Sequence, residues 1–426
     1  MYRRPIGTKI SSRLVEAPRA IQILAGPRQV GKTTLVRQIL ADLDPASSTY
    51  VAAAPGPAAL YRGVQDYSAS ATVAPKAGEI STAWLADQWQ SASLRARNWA
   101  TQQIAHDVPF SPYVLVIDEI QKVPNWSETI KGLWDANLND TWPLHLVLLG
   151  SSPLLMQKGL TESLAGRFEL IRMTHWSYEE MNDAFDLSLD QYIYFGGFPG
   201  SSAFFHDEVR WRNFIVDSMI APIIEKDIRD MTRVDQPALL KQLFEVGCSY
   251  SGQIVALDKV LGVLNSKGNT VTLSRYLDLL DRAGLLRGLY KFSENEIRQR
   301  RSPPKFQVRN TAFMSALDTY TFDQARADRS YWGRLVESAV GAHLCNAADA
   351  NTKVNYWREN SLEVDFVIGN GKKLTAIEVK SGKSGGPMPG LMEFSKRNPG
   401  CSVFVVGNED LSVGEFLRYA PSHWLE

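Results

Sequence analysis

The chain has little cysteine, no imbalance of charge and no long hydrophobic run. Its three cysteines, Cys248, Cys345 and Cys401, lie far apart and form no Cys-x-x-Cys pair, so they read as reduced core residues of a cytosolic protein. Lys+Arg and Asp+Glu both total 46, so net charge points to neither nucleic acid nor a membrane, and any basic surface must be local. No apolar stretch approaches the ~20 residues of a membrane span. Arg3 and Arg4 near the start are followed by no apolar segment, so a signal peptide is not expected and the cytoplasm is the default location. The remainder is an ordinary composition, 44% hydrophobic and 22% charged, at a length that suits two or three domains of roughly 100–200 residues.

The most informative stretch is Gly26, Pro27, Arg28, Gln29, Val30, Gly31, Lys32, Thr33 and Thr34. An apolar run, Ile21–Ala25, precedes it and the helical pattern Leu35–Leu40 follows. Strand, glycine-containing loop and helix is the context a phosphate-binding loop requires. Its glycines let the backbone curl around an anion, and the helix N-terminus adds its positive dipole end. Lys32 then reaches the β- and γ-phosphates of ATP, and the Thr33 hydroxyl joins a Mg²⁺ shell. Further on, Tyr113–Ile117 reads as a strand buried on both faces, ending in Asp118 and Glu119. Ligand chemistry in open α/β sheets lies at the carboxyl ends of strands. Asp118 is therefore expected to hold Mg²⁺ through water and Glu119 to polarise the attacking water. A third strand, Leu144–Gly150, ends in Ser151, placed to sense the γ-phosphate. Arg167 reads either as a structural salt-bridge partner or as an arginine given to the nucleotide of an adjacent subunit. Helical spacing over Thr82–Ile104 makes Trp84, Leu85, Trp89, Leu94 and Trp99 core positions.

These segments, with Ser163-Leu164-Ala165-Gly166-Arg167 and Tyr194-Phe195-Gly196-Gly197-Phe198-Pro199, fall in an order that resembles a prokaryotic AAA-type P-loop ATPase family. Its members end in a domain of unknown function of the DUF4143 type. The resemblance spans nearly the whole chain and implies ATP hydrolysis in a homo-oligomer, a hexameric ring being one form. It implies that Asp118 and Glu119 are the Walker B pair, that Ser151 is sensor 1 and that Arg167 is the arginine finger. One departure is Asn310, which stands where relatives often carry an acid after a lysine–aromatic strand, here Lys305-Phe306.

The segment Leu239–Phe292 reads as three helices closed by a short strand pair, a winged helix-turn-helix. In a DNA binder Thr272, Ser274 and Arg275 would face a groove, although winged helices also serve as protein-contact modules. Arg298–Lys305 is a local basic patch or a solvated proline-rich loop. In the last third, Glu337 lies on a helix. Two β-rich runs joined by Asn370-Gly371 form a hairpin carrying Asp365, Glu378 and Lys380, the last two on one face. This is the constellation of PD-(D/E)xK phosphodiesterases. In that scheme Asp365 and Glu378 bind Mg²⁺, Lys380 orients or deprotonates the nucleophile and Glu337 supports the metal shell; the family resemblance points the same way.

The expected architecture is α/β: a P-loop AAA+-type parallel-sheet ATPase domain over 1–200, a helical and winged-helix region over 201–295 and a restriction-endonuclease-like α/β domain over 296–426. The expected function is an ATPase that remodels or processes DNA, branched or broken duplex included. The competing reading is a nucleotide-controlled switch for a protein partner, with the last domain a scaffold.

Overall fold

The computed structural model describes residues 2–53, 80–107, 111–137, 144–150, 163–228, 234–264, 269–293, 299, 301–371, 373–382 and 388–425. Its contacts divide the chain into two compact units, Met1–Met173 and Thr174–Glu426.

The first unit runs α1 (Ile6–Leu14), β1 (Ile21–Ala25), α2 (Lys32–Leu40), β2 (Ser48–Ala52), α3 (Thr82–Ala105), β3 (Tyr113–Asp118), α4 (Trp126–Asn137), β4 (Leu144–Gly150) and β5 (Phe168–Arg172). The strands form one sheet in the order β2-β3-β4-β1-β5, every neighbouring pair parallel. Strands β1, β3 and β4 are buried along their whole length, which is why they read as unbroken apolar runs. Alternate residues feed two cores. Ile21, Ile23, Leu115, Ile117, Leu146 and Leu148 pack with Trp89, Ile130 and Trp134. Leu24, Val114, Val116, Val147 and Leu149 pack with Leu35, Val36 and Ile39 of α2. Each aliphatic side chain so buried contributes about 1.5–3 kcal/mol. On α3, Leu85 and Trp89 are buried as expected, and Trp84 and Trp99 are partly buried against the same core. Leu94 departs from expectation and is exposed, because it falls off the stripe that Leu85, Trp89, Ala92 and Ala96 turn inward.

In the second unit, α5 (Pro237–Ser249), α6 (Leu257–Leu264) and α7 (Thr270–Arg282) pack on one another. The cap of α7 is Asn269, whose side chain accepts from the Thr272 N–H. After α7 comes β6 (Leu286–Leu289), whose antiparallel partner is the more distant β7 (Lys305–Val308). Ahead of α5 come a short α-helix, Glu208–Asn213, and π-helical turns over Phe214–Ile220 and Ile223–Asp227, with Asp227 and Ile228 buried.

Helix α8 (Arg329–Ala347) leads into β8 (Lys353–Glu359), β9 (Leu362–Gly369), β10 (Leu374–Val379), α9 (Pro389–Arg397) and β11 (Ser402–Val406). The sheet order is β11-β10-β9-β8, antiparallel except for the parallel β10–β11 pair. The β9–β10 hairpin passes through Asn370 and Gly371, with Gly371 left-handed at φ 84°, a conformation glycine adopts without steric cost. The loop between the paired Gly369 and Leu374 is longer than the two-residue Asn-Gly turn expected. Trp357, Val364, Val367 and Ala376 form a core with Leu391 and Phe394 of α9. Strand β11 is an edge with only Val406 buried, not the core strand its composition suggests.

Two separate sequence features meet here. The Asn310 side-chain oxygen accepts the Gly197 N–H at 3.2 Å and the Ala312 N–H at 3.1 Å. A Cβ at Gly196 (φ 71°) would lie 1.9 Å from that oxygen, so the glycine is needed for the approach. An amide oxygen meets two N–H donors as a carboxylate would, so the departure at Asn310 preserves the joint.

Candidate functional site

The loop 26–33 leaves the carboxyl end of β1 and enters α2 at Lys32. Gln29 (φ 57°) and Gly31 (φ 86°) are left-handed, and such αR–αL alternation curls backbone into an anion-binding nest. Gly31 caps α2 without any side-chain hydrogen bond. Gly26 has no room for a side chain, since a Cβ there would meet the Met173 carbonyl oxygen at 2.1 Å. Pro27 and Val30 are buried, and Arg28 and Thr34 lie toward the surface. Lys32 is buried, its Nζ donating to the carbonyls of Gly26 at 2.8 Å and Pro27 at 2.7 Å. The ammonium thus sits within the curve of the loop.

The sheet order brings the acids to the same edge. Thr33 Oγ1 donates to Asp118 Oδ2 at 2.7 Å, joining the start of α2 to the end of β3. Tyr50, on the neighbouring β2, donates its hydroxyl to the same carboxylate oxygen. Burial and then the charge of Asp118 push the Tyr50 phenol well above its ordinary value, so it stays a donor. The Arg37 guanidinium covers the Tyr50 ring at 4.8 Å. Asp118 Oδ1 accepts the Glu119 N–H at 2.8 Å. Glu119 is itself left-handed at φ 56°, a conformation that costs a non-glycine residue about 1–3 kcal/mol and gathers at functional sites. Its carboxylate accepts from Gln121 Nε2 at 3.0 Å and pairs with Lys122 at 3.4 Å. Strand β4 ends between β1 and β3, Gly150 beside Ala25. Ser151, the expected sensor, lies outside the described residues.

Arg167 stands apart from this group. It forks onto Asp135 of α4, Nε at 2.6 Å and Nη2 at 2.9 Å, with about a third of its side chain exposed. No local sequence signal marks Tyr50, whose place beside Asp118 comes from the pairing of β2 with β3. Nor does one mark Arg4, whose buried guanidinium donates to the Val30 carbonyl at 3.2 Å and braces the loop.

The second group gathers around a residue expected at the end of a basic patch or proline-rich loop and at the head of a lysine–aromatic strand. Lys305, the first residue of β7, has no exposed side-chain surface. Its Nζ lies 2.7 Å from Glu337 Oε1, 3.2 Å from the Asp365 carbonyl oxygen, 3.4 Å from Asp365 Oδ1 and 3.7 Å from Glu363 Oε1. Asp365 Oδ2 accepts the Val379 N–H at 2.9 Å, as the hairpin register dictates. Glu378 and Lys380 do share a face and pair at 2.7 Å. Burial raises Glu337 to about 7, with Lys305 opposing and Asp365 reinforcing the shift. Burial and the charge of Asp365 likewise raise Glu378. Burial would lower Lys305, but Glu337 and Asp365 outweigh it and the net direction is up. Among the described residues, no group of three or more His, Cys, Asp or Glu side chains is arranged to hold a metal ion.

Comparison with known proteins matches these two regions to separate families. An AAA domain family matches residues 18–182, and two domains of unknown function, DUF8612 and DUF4143, match 186–324 and 332–425. An uncharacterized protein of Mycobacterium tuberculosis is 23% identical over 385 residues, 89% of this chain and 74% of the relative. One from Methanocaldococcus jannaschii is 23% identical over 285 residues, 62% of this chain and 60% of the relative. Among solved structures, a Walker-type ATPase of Pyrococcus abyssi aligns with TM-score 0.47 at 15% identity, over 74% of this chain and 95% of that one. The chain carries an AAA-type P-loop ATPase domain over residues 18–182 and a DUF4143 domain over residues 332–425.

Proposed function

We propose that this ATPase couples ATP hydrolysis to binding and remodelling of DNA, as a homo-oligomer. The observation that carries the nucleotide half is the Thr33–Asp118 hydrogen bond, which ties the loop to the acidic end of β3. Lys32 exchanges its loop carbonyls for the β- and γ-phosphates, a stronger charge-assisted contact. A hydroxyl and a carboxylate are the hard oxygen donors Mg²⁺ takes. Thr33 and Asp118 would hold it, and when bound it neutralises phosphate charge. Tyr50 orients the Asp118 carboxylate. Glu119, steadied by Gln121 and Lys122, accepts the proton of the water that attacks the γ-phosphorus, and ADP leaves with the bridging oxygen. In an assembly Arg167 exchanges Asp135 for the nucleotide of a neighbouring subunit.

The DNA half rests on the middle region. Helices α5, α6 and α7 followed by the β6–β7 ribbon have the element order of a winged helix-turn-helix. Near the start of α7, Ser274 and Arg275 are exposed and Thr272 is partly so, while Leu273, Tyr276, Leu277 and Leu280 anchor the opposite face. That surface suits phosphate and groove contact. The test is the rate of phosphate release from ATP without DNA and with linear duplex, single strand and a four-way junction, Lys32→Ala serving as control. Stimulation by one DNA form is expected. A rate indifferent to every form would overturn the DNA reading and favour a switch for a protein partner.

A further inference from the structure

The constellation Asp365, Glu378, Lys380 and Glu337 implies a divalent cation, and the residues present can be tested against one. Mg²⁺ requires near-octahedral oxygen ligands at about 2.0–2.1 Å. Four of the carboxylate oxygens that would supply them face protein cations or an N–H group. Glu337 Oε1 and Asp365 Oδ1 face the Lys305 ammonium, Asp365 Oδ2 takes the Val379 N–H, and Glu378 Oε1 takes Lys380. The ammonium donates to Asp365 Oδ1 and to the Asp365 carbonyl and forms an ion pair with Glu337 Oε1 at 2.7 Å. Its remaining side faces the Phe366 ring, 4.9 Å from the centroid, a cation–π contact. A second cation among the same oxygens would meet a fixed positive charge within a few ångströms. The group does not fit a metal.

We infer that Lys305 is a built-in replacement for the divalent cation, so the carboxylate centre of the C-terminal domain binds no metal and performs no metal-dependent phosphodiester cleavage. Four positions shared with a nuclease pattern then persist as parts of an ion-pair cluster. Lys305 on β7, Glu337 on α8 and Glu363 and Asp365 on β9 tie a ribbon, a helix and a sheet together, and Asp365 reaches β10 through the Val379 N–H. The inference is independent of the nucleotide site and of any DNA contact.

If the ammonium stands in for a cation, removing it should create a cation site. The experiment measures Mn²⁺ binding to the full chain by electron paramagnetic resonance without nucleotide. It compares wild type with Asp365→Asn, with Lys305→Met and with Lys305→Met/Asp365→Asn; Lys305→Met keeps the buried stem and loses the charge. Wild type and Asp365→Asn should bind Mn²⁺ alike. Lys305→Met should bind it about tenfold or more tightly, the scale of removing one like charge a few ångströms away, and the double variant should lose the gain. Mn²⁺ should also raise the melting temperature of Lys305→Met more than that of wild type. Wild-type binding that falls in Asp365→Asn would overturn the inference, as would a folded Lys305→Met that gains nothing. Should Lys305→Met not fold, wild type against Asp365→Asn decides: equal binding supports the inference and a loss refutes it. A second readout is cleavage of labelled duplex and single-stranded DNA in Mn²⁺, where cutting by wild type that Asp365→Asn abolishes would refute it.

Discussion

Two clusters of carboxylates stand in this chain, and they are finished differently. Asp118 is met by neutral donors, the hydroxyls of Thr33 and Tyr50 and the N–H of Glu119. Asp365 and Glu337 are met by a buried ammonium. Hydroxyls orient a carboxylate without neutralising it, so the first cluster keeps a charge to offer an incoming cation. The second has its cation built in. Residue type and spacing alone do not separate these cases; the charge of what packs against the acids does.

The sharpest way to break this contrast is to remove the internal cation. Lys305→Ala leaves the part-buried carboxylates of Glu337, Glu363 and Asp365 facing one another. One-sided removal of a fully buried pair costs about 3–5 kcal/mol, and the solvent these carboxylates keep puts the loss toward the lower end. Chemical denaturation of the second unit should show that loss. A change within experimental error would mean the ammonium is dispensable. The corresponding change in the first unit should strike activity instead. Lys32→Ala is expected to lower the rate of ATP hydrolysis about 100-fold or more with little loss of melting temperature. Hydrolysis at a near wild-type rate would remove the loop from the mechanism.

A pH dependence should distinguish the clusters next. Glu337 moves from an ordinary 4.5 to about 7, by burial above all. The folded chain therefore keeps a proton that the unfolded chain has released, so its contribution is full at low pH. That contribution is lost as pH rises from about 4.5 to about 7. Glu337→Gln stays neutral throughout, so its stability relative to wild type should rise across that window. A difference that is flat with pH would contradict the assignment. The mildest prediction concerns Tyr50. Tyr50→Phe removes one hydrogen bond to Asp118, worth about 1 kcal/mol, so hydrolysis should slow about fivefold while the fold is retained. An unchanged rate would leave the hydroxyl without a role in orienting Asp118.

How far these clusters could be read in advance follows the same division. The first was legible because its parts are local: loop, lysine and threonine are contiguous, and the acid pair closes an unmistakable buried strand. Tyr50 was not, because parallel pairing of β2 with β3 is a long-range fact that no local pattern announces. In the second cluster the Asn-Gly hairpin correctly brought Asp365 beside Glu378 and Lys380. Lys305 was hidden by its neighbours in sequence. Following Arg298, Arg300 and Arg301 and two prolines, it looked like the end of a basic loop. Yet it opens the apolar strand Phe306-Gln307-Val308, and a charge at the head of a buried strand was the available signal. Arg298 and Arg300 lie outside the described residues.

The claim that one cluster recruits a cation and the other carries its own is tested most directly by counting metal. Equilibrium dialysis with Mn²⁺ and a saturating non-hydrolysable ATP analogue should give one bound ion per chain. That ion should be lost in Asp118→Asn and kept in Asp365→Asn. Two ions per chain, one of them lost in Asp365→Asn, would contradict the account.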